Sequence, residues 1–266
     1  MTTPSSLKQR HAVDYSHIEP MPDPPREPDM NQRRATRAFD GILIPYFADR
    51  DDVLISGEGY LRFNGSNANE RLAPDCVVAF GVDDPDAIEA RNGYVISEVG
   101  KPPDFVLEVA SRSTGRRDYT VKREGYAGYS VPEYWQFDHT GGRYHVSALS
   151  GDVLVDGRYE PVEIVHEPDG LIWGHSEVLG LDLCWDDGEL RFRDPSTGEF
   201  LPTPEERREA QEVAEARAEA AETHAEAERH ARQVAEARAE AERDARQAAE
   251  TRVAELEAEL RRLRGQ

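Results

Sequence analysis

PDCVVAFG (residues 74–81), PPDFVLEVASRST (102–114) and RRDYTVKREGYAGYSVPEYWQFD (116–138) decide the fold of this chain. CVVAFG is a short continuous apolar run, the pattern of a strand buried on both faces. DFVLEVA is a second strand: Phe105, Leu107 and Val109 share one face, and Val106, Glu108 and Ala110 the other. Between 113 and 129 the period changes. Val121, Tyr126 and Tyr129, with Lys122, suit a helix that Ser113, Thr114 or Asp118 is placed to cap. Gly125 and Gly128 weaken that helix by about 1 kcal/mol each relative to alanine. EYWQFD then returns to a strand.

Working outward, ILIPYF (42–47), GYLRFN (59–64), YVISEVG (94–100) and RYHVSAL (143–149) read as further strands. Two Asp-Gly pairs, Asp156-Gly157 and Asp187-Gly188, sit between strand-like runs and predict tight hairpins. Many strands with a helix after the Glu108 strand describe an α/β fold with a mixed sheet. Residues 1–35 are rich in Pro, Asp, Arg and polar groups, too poor in apolar surface to offset ordering entropy, and read as a flexible arm. Residues 36–204 form the globular domain. Residues 205–266 are almost entirely Ala, Glu, Arg and Gln, with VAEARAEA at 213 and again at 234. Val213, Ala220, Ala227, Val234, Ala241 and Ala248 recur every seven residues, and Val253, Leu256, Leu260 and Leu263 close the chain at a/d spacing. This is a long helix, either solvated alone or in a coiled coil whose self-association is concentrated at the Leu-rich end. It makes a homo-oligomer through the C-terminal helix the expected assembly.

The net charge of −21 over 266 residues argues against a general nucleic-acid coat, which works by neutralising phosphates. It leaves room for a local basic groove or a metal site. Cys76 and Cys184, each within an apolar run, are expected to be buried free thiols of a reducing cytosol rather than a disulfide. The first residues lack the apolar stretch of a signal peptide, and no apolar run approaches the ~20 residues of a membrane span. The expected location is cytoplasmic, with no membrane contact.

The chemistry rests on three residues. Asp75 follows a proline and opens one buried strand, from which its carboxylate can turn to a cleft. Glu108 is a charge among apolar strand residues, costly unless paired or ligating a metal. Its bland reading is an edge residue facing solvent, or an ion pair with Arg112, Arg116 or Arg117. Lys122 alone is most often a solvated helix lysine, and Asp118 its i,i+4 partner or the helix cap. Together they suit a hard divalent cation, which takes oxygen ligands from one or two carboxylates plus waters and phosphate. Asp75 and Glu108 are the candidate ligands, with the Val109 carbonyl as a third. Such an ion activates water and offsets charge on a phosphodiester, and Lys122 can orient that water or neutralise developing charge. Neither a GxSxG elbow, nor zinc-ligand spacing, nor a phosphate-binding glycine loop occurs.

The run PD, then PPDFVLEVASRST, D-x-x-x-K, Tyr and VPEYWQFD resembles the Uma family, assigned as restriction endonucleases of the PD-(D/E)XK nuclease superfamily. The resemblance covers roughly residues 40–200, and the tail is similar to the extension many members carry. It implies a restriction-endonuclease-like mixed β-sheet core with flanking helices and β-hairpins, and endonuclease cleavage of DNA dependent on Mg²⁺ or Mn²⁺. Asp75 matches the PD aspartate and Glu108 the acidic residue of the (D/E)XK strand. Ala110 stands where the usual lysine would be, so Lys122 on the next helix is the substitute. Asp118 aligns with an aspartate typical of the family. The helical glutamate that many superfamily nucleases place before the PD strand has no clear counterpart, Glu58 and Glu70 being weak candidates. Tyr126, Glu133, Tyr134, Trp135 and Asp138 also match and are read as packing and strand-end structure. The competing reading is a catalytically degenerate nuclease-fold protein that binds or regulates and assembles through its helical tail. A ligand-binding β-sandwich fits the hairpins but leaves Asp75 and Glu108 unexplained.

Overall fold

The computed structural model describes residues 30–57, 59–64, 71–111 and 118–265. Its contacts divide the chain into two compact units, Met1–Glu205 and Glu206–Gln266. The first unit is built on a six-stranded mixed sheet. Its strands are β1 (Val53–Ser56), β4 (Cys76–Phe80), β6 (Phe105–Val109), β7 (Glu133–Phe137), β8 (Leu149–Val155) and β9 (Arg158–Pro161), paired in that order. The runs at β4, β6 and β7 are buried almost throughout, because both faces of the sheet are covered. β6 and β7 run parallel, which demands a crossover. It contains a π-helical turn, Asp118–Lys122, continuing into the helix Arg123–Gly128.

Helix α1 (Met30–Tyr46) buries Ala35, Phe39, Ile42 and Leu43, spaced for one helical face. Phe39 stacks on Phe105 of β6 at 6.0 Å between ring centroids. ILIPYF is therefore no strand, as its local composition suggests, but the end of this helix with Pro45 inside it. The residues described begin at Met30, already helical, so residues 30–35 belong to α1 rather than to the expected arm, whose other residues lie outside the described ones. A four-stranded antiparallel sheet packs into the same core through Leu181, Leu183, Leu190 and Phe192. It comprises β10 (Ile164–His166), β11 (Ile172–Ser176), β12 (Leu181–Asp186) and β13 (Glu189–Arg193). On the opposite face of the main sheet lies a second core of Leu54, Val77, Ala79, Val106, Tyr126 and Tyr134. Beside it sit helix α2 (Pro85–Ala90) and a small sheet of β2 (Tyr60–Arg62), β3 (Arg71–Leu72) and β5 (Gly93–Val95). YVISEVG is thus a three-residue strand followed by a short helix, Ile96–Val99.

Both Asp-Gly hairpins form, β8–β9 and β12–β13. Asp156 and Gly157, and Asp187 and Gly188, all take positive φ, as the primed two-residue turn requires. RYHVSAL does not form a strand. The Asp138 carboxylate captures the backbone N–H groups of Thr140, Tyr144 and His145, so this segment folds around that side chain and strand β8 begins only at Leu149.

Burial works to raise the Asp138 carboxyl, but the hydrogen bonds from Thr140, His145 and Tyr144 outweigh it and hold it below its ordinary value. A lowered folded pKa means stabilisation present above the unfolded value of about 3.9 and lost as pH falls through the folded one. Asp138→Asn puts an amide donor among those N–H groups and is expected to cost about 1–3 kcal/mol at neutral pH. Thermal melts from pH 7 to pH 3 should show the gap to wild type closing below about pH 4. A gap independent of pH contradicts the assignment.

The second unit is dominated by a single helix, Pro204–Arg264, without one buried residue. Val213, Val234, Val253, Leu256, Leu260 and Leu263 are all exposed on it. No described helix is long and apolar enough to cross a membrane.

Candidate active site

β4 and β6 pair antiparallel with Cys76 opposite Leu107 and Val77 opposite Val106. One residue further, that register sets Asp75 beside Glu108. Phe105, Leu107 and Val109 enter the core shared with α1, and Val106 the opposite core, so alternation turns Glu108 to the Val106 face. β6 is internal and Glu108 fully buried, which removes the reading of an edge residue facing solvent. Arg112, Arg116 and Arg117 lie outside the described residues, as do Ser113 and Thr114.

The carboxylate oxygens are all engaged. Asp75 Oδ2 accepts the Val109 N–H at 2.8 Å, and Asp75 Oδ1 accepts the Gln32 amide at 2.6 Å. Glu108 Oε2 accepts from Lys122 Nζ at 2.5 Å, and Glu108 Oε1 from the Tyr126 hydroxyl at 2.5 Å. The two carboxyl groups also share a hydrogen bond. Lys122, on the π-helical turn, thus brings its Nζ to the carboxylate of the strand that ends just before Ala110. Lys122 also lies 3.2 Å from Asp118 Oδ1. Asp118 is within the turn rather than capping it, and its Oδ2 meets His145 Nε2 at 2.9 Å.

Two of these partners carry no mark in the sequence. Gln32 belongs to the first turn of α1, within the stretch read as arm, and its Nε2 is also 3.4 Å from the Val109 carbonyl. Glu58 and Glu70, the weak candidates for the superfamily's helical glutamate, lie outside the described residues. His145 is buried and reaches Asp118 only because Asp138 folds the segment between them. Tyr126 is more than packing, since its hydroxyl fixes Glu108. Tyr134 donates to the Asp118 carbonyl at 2.9 Å, pinning the turn that bears Lys122 to β7. Glu133 ties β7 to the β11–β12 connection through the Ser176 hydroxyl and the Val178 N–H.

Burial pushes the Glu108 carboxyl well above the usual carboxylate range, with Asp75 and Asp118 adding to the effect and Lys122 opposing it. Burial likewise raises Asp75, against the pull of Lys122, Val109 N–H and Gln32. Lys122 behaves oppositely: burial disfavours its charge, but Glu108, Asp118 and Asp75 outweigh that and hold the ammonium above its ordinary value. Two adjoining carboxyls held up by burial form an oxygen-donor pair that a cation would relieve. Among the described residues no cluster of three or more His, Cys, Asp or Glu is placed to hold a metal. An ion here would therefore rest on two carboxylates and a carbonyl, leaving the remaining positions to water and phosphate, which is the habit of Mg²⁺. The residues fit the group.

Residues 7–186 match a family model described as "Uma2: Putative restriction endonuclease", well over half of the chain. The chain belongs to the Uma2 family. The Uma2 match takes in every residue of the cluster and stops at Asp186, the last residue of β12, leaving the C-terminal helix outside it. A solved structure similar to this Uma2 chain is the crystal structure of "a putative nuclease belonging to DUF820" from Anabaena variabilis ATCC 29413. It shares 12% identity, with 56% of this chain and 77% of that chain covered, at a TM-score of 0.39. Among curated proteins none matches.

Proposed function

We propose that this Uma2 protein is a metal-dependent endonuclease that hydrolyses DNA phosphodiester bonds at the Asp75–Glu108–Lys122 cluster. The observation that supports it most is the convergence of the Asp75 and Glu108 carboxyls with a lysine that arrives from a different element. Asp75, Glu108 and the Val109 carbonyl would hold Mg²⁺ or Mn²⁺, and the ion when bound supplies activation of water and neutralisation of phosphate charge. The chain's own groups do the rest. Gln32 and the Val109 N–H orient the Asp75 carboxylate, and Tyr126 orients that of Glu108. Lys122 keeps its proton, so it acts as a fixed positive charge toward the phosphate rather than as a base. Asp118, held by His145, sets where that ammonium sits. Water is kept from the back of the cluster by Tyr126 and Tyr134, both buried.

The reading of a degenerate nuclease scaffold has one observation in its favour: Lys122 and Tyr126 already occupy both oxygens of Glu108. Supercoiled plasmid separates the two readings. With Mg²⁺ or Mn²⁺ the purified protein should nick and linearise it, chelation should stop the reaction, and Asp75→Ala should show no cleavage at equal concentration. Intact plasmid after prolonged incubation with either ion supports the degenerate scaffold instead.

A further inference from the structure

A cavity of about 460 Å³ lies between α1, the edge strand β1, the start of β4 and the small sheet, within the ~300–1,000 Å³ typical of small-molecule sites. It borders the cluster at two points: Pro74, in its wall, directly precedes Asp75, and Arg33 directly follows Gln32. Val77, also in the wall, is separated from Asp75 by about 6.6 Å along an extended strand. Its walls mix apolar side chains, Leu54, Leu61, Val77 and Ile88, with the polar edges of Asp40, Glu89 and Asn92. The Tyr60 ring lines it as well, with the Arg71 guanidinium 4.9 Å from the ring centroid. The Tyr60 hydroxyl is buried and has no hydrogen-bond partner among the described residues.

Arg33 and Arg37, one turn apart on α1, complete the lining and are exposed. Neither forms an ion pair among the described residues. Asp40 and Glu89 share this lining, so the two guanidinium groups bring the opening to charge balance in a chain of net charge −21. Guanidinium forks suit phosphate oxygens. Apolar side chains and an aromatic ring, interleaved with hydrogen-bonding edges, are the surroundings in which proteins hold a base taken out of the stack. The distance from cavity to carboxylates is one that a single nucleotide spans between its base and its phosphate.

We propose that this cavity receives a nucleobase extruded from the DNA strand under attack, with Arg33 and Arg37 on the flanking phosphates, so that the preferred substrate carries an unpaired nucleotide at the cleavage site. This rests on the nuclease reading for the word cleavage, but the recognition is separable from it. The probes are two fluorescein-labelled duplexes of the same sequence, one fully paired and one with a single-nucleotide bulge, titrated by anisotropy in Ca²⁺. Wild type should bind the bulged duplex about tenfold or more tightly, because an unpaired base need not be separated from a partner. Thr36→Trp, which fills the cavity from α1, should abolish that preference, with circular dichroism confirming the fold. Arg33→Glu with Arg37→Glu should abolish it independently. Equal binding of the two duplexes by wild type, or a preference that survives either the filled cavity or the double charge reversal, overturns the proposal. Plasmid cleavage in Mg²⁺ keeps the two readings apart. Cleavage without bulge preference rejects the cavity alone, and bulge preference lost in Thr36→Trp without any cleavage rejects the nuclease alone.

Discussion

Glu108→Gln should eliminate Mg²⁺-dependent DNA cleavage while the protein remains folded. The amide nearly keeps the side chain's volume inside the sheet and can still accept from the Tyr126 hydroxyl. It removes the charge that would hold the ion and that faces Lys122 at 2.5 Å. A bound divalent ion contributes several kcal/mol of charge stabilisation in the transition state. Its loss corresponds to about a thousandfold or more in rate, at 1.36 kcal/mol per tenfold. Single-turnover cleavage at saturating protein, with far- and near-ultraviolet circular dichroism on the same samples, measures both halves. A native spectrum with a rate within tenfold of wild type would remove Glu108 from the ligand set.

Trp135→Ala should give the largest loss of stability of any single substitution considered. Trp135 is fully buried in the middle of β7. Its ring is closely covered by two glycines. A Cβ added at Gly151 would come within 2.8 Å of the indole, and one at Gly174 within 3.0 Å. Those absent side chains are what allow the four-stranded sheet to approach β8. Truncation leaves a cavity that a sheet core cannot collapse into, at about 3–5 kcal/mol. It also frees Glu133, which accepts from the indole N–H at 2.9 Å and ties β7 to Ser176 and Val178. Urea unfolding followed by fluorescence of the remaining tryptophans should show the midpoint falling with the slope unchanged. A loss below about 1.5 kcal/mol, the range of volume-conserving swaps, means that the site relaxes and the packing argument fails.

How much of this was legible along the chain depends on the range over which each signal acts. The central strands could be read because full burial on both faces leaves an apolar run with one charge in it. The Asp-Gly hairpins could be read because two residues with positive φ suffice to make them. ILIPYF misled because an apolar hexapeptide has the same local look at the end of a helix as in a strand. Only the spacing of Ala35, Phe39, Ile42 and Leu43 separates the two. RYHVSAL misled because its alternation is overruled by one carboxylate, Asp138, at the end of a neighbouring strand. Gln32 could not be found at all: it is one polar residue in a polar stretch, and its partner is 43 residues away.

The sequence alone therefore picked out Asp75, Glu108 and Lys122 as the candidate group that the fold brings together, since strand alternation and the family pattern are written residue by residue. It also determined the long exposed C-terminal helix, whose repeat needs no partner to be seen. The tertiary structure decided what those groups experience. Pairing of β4 with β6 places the carboxylates side by side, and burial then raises both. The π-helical turn, held by Tyr134, carries Lys122 back to Glu108 across the crossover. Desolvation and contact between distant segments exist only once the chain has folded, which is why no local pattern could state them.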